Sequence, residues 1–281
     1  SEMCIRDSDT IDGNDGDDNI NGNEGDDSIT AAASEGDDIL RGGRGNDTIN
    51  AAASSGRDTI WGDLGDDSIL SGTGNASVFG GDGADTITAA ASSDSFLQGN
   101  SGDDSITGNS GDETIRGGSG ADTITGGTGD DHLIGDDGVD RLTTSGGNDT
   151  LNGGSGNDTF VVDAIANNSD DIVIEDYATT DTVLLDNTGN TLDASALTVS
   201  VSGSDVTVSN STGATSDNIE VQSVAGVFTA STDTTGSILR VNTSATATNL
   251  EGNSTGGATN DHLVAGSGAD TLNGFDGDDV L

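Results

Sequence analysis

Aspartate returns along this chain at a fixed interval, always in the company of glycine. The clearest unit is Gly153-Gly154-Ser155-Gly156-Asn157-Asp158-Thr159-Phe160-Val161, repeated closely as Gly42 to Asn50 and as Gly117 to Thr125. Counted from its first glycine, the unit holds glycine at positions one, two and four, aspartate at six and a large apolar residue at eight. A carboxylate repeated at one phase is a repeated hard oxygen donor. No imidazole or thiolate stands beside it, and the glycines leave main-chain carbonyls uncovered. Such a donor set suits Ca²⁺, whereas Mg²⁺ holds its water in a small octahedron and fits it poorly. The candidate metal ligands are the position-six carboxylates Asp18, Asp27, Asp38, Asp47, Asp58, Asp67, Asp85, Asp104, Asp122, Asp131, Asp140, Asp149 and Asp158. Asp261, Asp270 and Asp279 join them from a late return of the pattern.

The elements that must position these carboxylates follow from position eight. Aligned on it, the chain reads Ile11, Ile20, Ile29, Leu40, Ile49, Ile60, Ile69, Val78, Ile87, Leu97, Ile106, Ile115, Ile124, Leu133, Leu142, Leu151 and Phe160, seventeen registers without a gap. Glycines at positions one, two and four allow a tight turn. Positions seven to nine then form a three-residue strand whose middle side chain points inward. One unit turns the chain halfway, so two units make one coil, and coils stack with parallel strands about 4.8 Å apart. The expected fold is all-β, a parallel β-roll or β-solenoid with two nonapeptides per coil. Stacking would bring carboxylates of neighbouring coils together, a column of like charge that calls for a cation.

Alternate units place their aspartates on opposite edges, and the edges differ. One carries Asp27, Asp47, Asp67, Asp85, Asp104, Asp122, Asp140 and Asp158 without a break. The other carries Asp18, Asp38 and Asp58, then Ala76 and Ser95, then Glu113, Asp131 and Asp149. On this second edge Ala-Ala-Ala-Ser replaces the leading glycines at Ala31 to Ser34, Ala51 to Ser54 and Ala89 to Ser92, and Ser71 to Ser77 forms a further variant turn. The expectation is an edge poor in calcium sites between about residues 30 and 97, facing one that is filled throughout.

The pattern Gly-Gly-x-Gly-x-Asp-x-U-x, with U large and apolar, resembles the calcium-binding repeats of the repeat-in-toxin (RTX) proteins. The resemblance implies export by a Gram-negative type I secretion machinery, an unfolded state in the low-calcium cytosol, and folding in the extracellular medium. It leaves open whether the parent is an exoprotein or adhesin with a structural module, or a secreted hydrolase or pore-forming toxin with an RTX tail. An ice-binding solenoid is a weaker alternative, because positions three and five vary (Glu24, Arg44, Leu64; Asp26, Asn46, Ala84) where a regular threonine array would be required.

Composition sets outer limits. Fifty-one acidic residues against seven basic ones give a formal charge of -44, which disfavours nucleic acid and anionic membranes as partners. No apolar run is long enough for a membrane-spanning helix. Such acidity with so few aromatic residues would ordinarily indicate disorder, and only the repeat argues otherwise. A single cysteine, Cys4, excludes an internal disulfide. It lies in residues 1–8, which resemble a translated adapter and are read as non-native. Residues 9–161 are read as the roll, 162–255 as an irregular β-rich cap or linker, and 256–281 as the start of a second roll. Within 162–255, Leu197 to Val208 has the alternation of a hairpin. Asp171 to Tyr177 and Asp181 to Leu185 resemble segments that close RTX arrays. No catalytic constellation is found: His132 and His262 both occupy solvent-facing position seven, and without lysine a phosphate-binding P-loop is impossible.

Overall fold

The structure, a computed structural model, describes residues 8–31, 36–90, 94–163, 171–186, 197–202, 205–210, 217–221, 227–232, 238–242, 249–251, 262–264, 271–273 and 281. Every regular element among them is a β-strand. Two compact units divide between Leu142 and Thr143.

In the first unit the chain alternates between two parallel sheets. One is built of short strands, Thr10–Asp12, Ser28–Thr30, Thr48–Asn50, Ser68–Leu70, Thr86–Thr88, Ser105–Thr107 and Thr123–Thr125. The other is built of Asn19–Glu24, Ile39–Arg44, Thr59–Leu64, Ser77–Asp82, Phe96–Ser101, Thr114–Ser119 and His132–Asp137. This is the expected parallel β-roll, two units to a coil. Position eight lies on position eight throughout, as in Ile29 on Ile49, Leu40 on Ile60, Ile60 on Val78 and Val78 on Leu97. The alanine turns lengthen a coil from 18 to 19 or 20 residues without disturbing that register. An insertion confined to the turn leaves the strands' in-and-out alternation intact. These side chains are the core: Ile29, Leu40, Ile49, Ile60, Val78, Ile87, Leu97, Ile115, Ile124 and Leu133 have no exposed surface. Each contributes about 2–3 kcal/mol by leaving water.

The second sheet departs from the three-residue expectation, since its strands run to six residues. Pairing continues through positions one to three of the following turn, where Asn23 lies on Gly43, Gly43 on Asp63 and Asp63 on Gly81. Position two there takes the left-handed conformation. Where it is not glycine it is Asn23, Asp63, Asn100 or Asp136, with φ between 75° and 80°. Asparagine and aspartate tolerate that region better than other side-chain-bearing residues. The sheet is thereby extended over the turn that leads to the unbroken edge.

In the second unit, parallel stacking includes the segments after the last full repeat. Asp171–Ile174 pairs with Thr150–Asn152, and Thr182–Asp186 with Thr159–Asp163. Leu197–Ser202 and Asp205–Asn210 form the expected antiparallel hairpin, which pairs onward with Asp217–Val221. Val227–Thr232 and Ile238–Asn242 form another. The late repeat returns as parallel strands His262–Val264 and Thr271–Asn273. Residues 1–7 of the leader lie outside the described residues, as do Gly203 and Ser204 of the hairpin turn.

Candidate metal centre

On the unbroken edge the aspartates stand at the mouth of each short strand and are almost completely buried, Asp27, Asp47, Asp67, Asp85, Asp104, Asp122 and Asp140 being 1–2% exposed. Their two oxygens have different tasks. Oδ1 accepts the main-chain N–H of the equivalent residue one coil earlier: Asp27 from Asp9, Asp47 from Asp27 and Asp67 from Asp47, each at 2.7 Å. Asp85, Asp104, Asp122 and Asp140 continue the ladder at 2.8 Å. Oδ2 of Asp27, Asp47, Asp67, Asp85, Asp104 and Asp122 is buried and has no hydrogen-bond partner. A carboxylate oxygen left so costs several kcal/mol unless something positive meets it.

Glycine at position one leaves room for that something. A methyl group at Gly22 would fall within 3 Å of both Asp27 Oδ2 and the Gly42 carbonyl oxygen. The same pair of oxygens crowds Gly42 (Asp47 and Gly62), Gly62 (Asp67 and Gly80), Gly80 (Asp85 and Gly99) and Gly99 (Asp104 and Gly117). A space bounded by one carboxylate oxygen and one carbonyl of the next coil therefore recurs along this edge. Among the described residues no three carboxylate, imidazole or thiolate side chains converge on a point, so most ligands of a cation here would be main-chain carbonyls.

The electrostatics agree. Loss of water around the carboxylate, opposed by the backbone hydrogen bond and reinforced by neighbouring aspartates, raises Asp67 and Asp85 to about 7 and Asp47 and Asp122 to about 6. Asp104 is raised to about 6 chiefly by the same burial. Without a cation these groups take up protons well above the usual carboxylate range, which is how a buried column of acids responds to missing positive charge.

The second edge starts in the same way. Asp38 Oδ1 accepts from Asp18 N–H at 2.9 Å, and Asp58 Oδ1 from Asp38 N–H at 3.1 Å. Then the chemistry changes to hydroxyls. Ser95 Oγ takes the N–H of Ala76 at 3.2 Å, and Ser71 Oγ that of Ala90 at 3.0 Å. In the alanine turn described in full, Ser54 N–H closes on the Ala51 carbonyl at 2.8 Å. Its fully buried hydroxyl meets Asp58 Oδ1 at 3.2 Å. Asp58 nonetheless keeps an unpartnered Oδ2, and the space beside Gly72 is bounded by it and by the Ser54 and Ala51 carbonyls. Ala76 and Ser95 thus break the carboxylate column, whereas the alanine turn of Ala51 to Ser54 leaves Asp58 with a carbonyl-flanked oxygen. Beyond it, Glu113 reaches back to accept Asn109 N–H at 3.0 Å through Oε2 and leaves Oε1 buried without a partner. Burial raises Glu113 to about 7 and Asp131 to about 6.

Sequence reasoning missed a second ladder, at position five. Asn46 N–H donates to Asp26 Oδ1 at 2.9 Å, Asp66 N–H to Asn46 Oδ1 at 3.0 Å and Ala84 N–H to Asp66 Oδ1 at 2.9 Å. It runs opposite to the position-six ladder, from each coil back to the one before. Asp and Asn at position five were the available signal; variability was read there instead of a short acceptor.

In the second unit Asp149 and Asp158 are 1% exposed. Asp181, from the segment after the repeats, extends the position-six role by accepting Asp158 N–H at 3.0 Å, and Ala178 N–H binds its other oxygen at 2.7 Å. Asp176 caps the Gly153 turn, accepting Gly153 N–H at 2.9 Å and Gly154 N–H. His132 is exposed, as position seven requires. Asp261, Asp270 and Asp279 lie outside the described residues.

A nonapeptide phase, a buried carboxylate at position six and an unpartnered oxygen beside a glycine define the unit structurally. Comparison with protein families matches the RTX calcium-binding nonapeptide repeat over residues 6–33, 30–54, 50–78, 71–96, 92–124, 125–160 and 255–281, well over half of the chain. The chain belongs to that RTX family. A comparison with curated proteins finds no match. The RTX repeats account for both features that a simple acidic solenoid leaves unexplained, the orphaned Oδ2 atoms and the close approach of carboxylate and carbonyl oxygens to the position-one glycine. The donors present, carboxylate and carbonyl oxygens alone, fit Ca²⁺.

Proposed function

We propose that this RTX array is a calcium-folded structural module of a larger secreted protein. The observation that carries the reading is the row of buried Oδ2 atoms on Asp27, Asp47, Asp67, Asp85, Asp104 and Asp122, the first five of them each beside a carbonyl of the next coil. Asp18, Asp38, Asp58, Asp131, Asp140, Asp149 and Asp158 would serve in the same way, with Asp261, Asp270 and Asp279 in the late repeat. Bound there, Ca²⁺ supplies the positive charge that lets adjacent coils close. The protein's share is to present one carboxylate oxygen and its carbonyls in register, with Oδ1 already committed to the neighbouring N–H.

Charge makes this a switch. At -44 the uncomplexed chain repels itself and stays expanded, a state compatible with export through a type I machinery. About ten sites would offset roughly half of that charge, so binding and folding become one event. Catalysis by the parent protein, if it has any, belongs to other segments, since the described polar groups serve the repeat. Circular dichroism of metal-depleted protein at neutral pH should show coil, and calcium at millimolar concentration should convert it to β structure. Full β structure without metal at neutral pH would overturn the reading.

A further inference from the structure

The long-strand sheet of the first unit carries a trough on its outer face whose side chains take no part in the calcium columns. Its wall is the outward row Asn21, Arg41, Trp61, Phe79 and Gln98, in register over consecutive coils. The opposite wall includes Arg44, Leu64 and Asp82, and the floor is position two, with Asp63 and Asn100. Two cavities of about 510 and 460 Å³ follow one another along it and share Asp63 and Leu64.

Of the seven aromatic residues in the chain, Trp61 and Phe79 line it on successive coils. Trp61 and Phe79 are nearly parallel, with ring centroids 5.7 Å apart, and Phe96 follows at 5.8 Å. The Arg41 guanidinium lies 4.1 Å over the Trp61 ring and pairs with Asp63 at 3.4 Å. Leu64 is 41% exposed. Cross-strand stacking stabilises a sheet, which accounts for the ring contacts alone. It does not account for an exposed leucine facing them across a groove floored by aspartate and asparagine.

We propose that this trough binds an uncharged, extended, β-linked polysaccharide strand. Three features select that ligand. Aromatic edges next to carboxylate, amide and guanidinium groups match a sugar, which offers C–H groups on its faces and hydroxyls around its rim. The chemistry repeats with the coil, about every 4.8 Å, close to the rise of one residue along an extended β-linked glycan. The charged lining is also nearly balanced, with Glu24, Asp63 and Asp82 against Arg41 and Arg44. On a chain of -44 that balance leaves nothing to hold a polyanion.

Trp61 is the only tryptophan, so its emission reports on the trough directly. The full chain, loaded with calcium and shown by circular dichroism to be β-structured, is titrated with cellohexaose, xylohexaose and mannohexaose. At least one should shift the emission saturably at millimolar concentration or below. Phe79→Ala should weaken that binding at least tenfold, and Leu64→Glu, at an exposed position that leaves the fold intact, should weaken it likewise. No saturable shift with any of the three on folded protein would overturn the proposal while leaving the calcium reading intact. So would undiminished binding by folded Leu64→Glu, or tighter, salt-sensitive binding of polygalacturonate.

Discussion

Each position-six aspartate combines two roles that a substitution can separate. Asp67 Oδ1 accepts the Asp47 N–H at 2.7 Å, while Oδ2 has no partner and the group is raised to about 7 by burial. Asp67→Asn keeps an acceptor for the ladder and deletes the charge. In metal-free protein this substitution should be neutral or stabilising, because a buried uncompensated charge is gone. With calcium it should remove at least one bound ion and raise the calcium midpoint of folding several-fold, the equivalent of about 1 kcal/mol. Calcium counting by equilibrium dialysis, run beside a folding titration, checks both halves. Position six was legible in the sequence because it stands two residues before the inward apolar residue in every unit. Its division of labour was not, since a one-letter code does not show which oxygen meets an N–H. Position five stayed hidden for a related reason: its ladder needs only a short acceptor, and Asp26, Asn46 and Asp66 look like drift.

Turns and strands carry the asymmetry of the roll. That the two edges differ was readable from Ala76 and Ser95 and from the alanine turns, and at the one such turn described in full Asp58 retains a carbonyl-flanked oxygen. Ser71-Gly72-Thr73-Gly74-Asn75-Ala76 preserves glycine at positions two and four and lacks the carboxylate and the glycine of position one, where Ser71 stands. Ala76→Asp combined with Ser71→Gly should therefore add a ladder acceptor for the Asp58 N–H and raise the number of calcium ions bound per chain by one. Native mass spectrometry of the calcium-loaded protein would count them. An unchanged count would mean that the turn backbone, and not the missing side chain, is what excludes the ion. The six-residue strands could not be read in advance, because glycine at positions one and two signals a turn in sequence. In the structure the same residues continue the ladder with one left-handed residue in it. The trough follows from those extended strands, which is why it too was invisible in the sequence.

For the whole molecule, acid and calcium should act as alternative remedies for one excess of charge. Asp47, Asp67, Asp85, Asp104, Asp122, Asp131 and Glu113 are all raised to about 6 or 7 in the metal-free roll, from ordinary values near 4. Between those limits the folded state holds more protons than the unfolded chain, so metal-free stability is greatest at the acid end and is lost as pH rises through 6 to 7. Calcium must displace those protons, so its affinity should fall as pH drops from about 7 to 5. Circular dichroism of metal-depleted protein should show more β structure at pH 5 than at pH 8. The opposite order would mean that the carboxylates titrate normally and the column is not charge-limited. The all-β class, the inward row and the parallel coils were legible because a nine-residue phase overrides a composition that otherwise signals disorder. How the pattern resumes after residue 161 was less so, since the strands that pair there, Asp171–Ile174 and Thr182–Asp186, have no glycine period.

The central claim is that the position-six carboxylates hold calcium in columns, one continuous and one interrupted. A crystal structure grown in calcium, with anomalous scattering to identify the ions, tests it directly. Calcium should lie beside Oδ2 at each step from Asp27 to Asp140 and be missing beside Ala76 and Ser95. Equal occupancy along both edges, or an empty first column in a folded roll, would contradict the account.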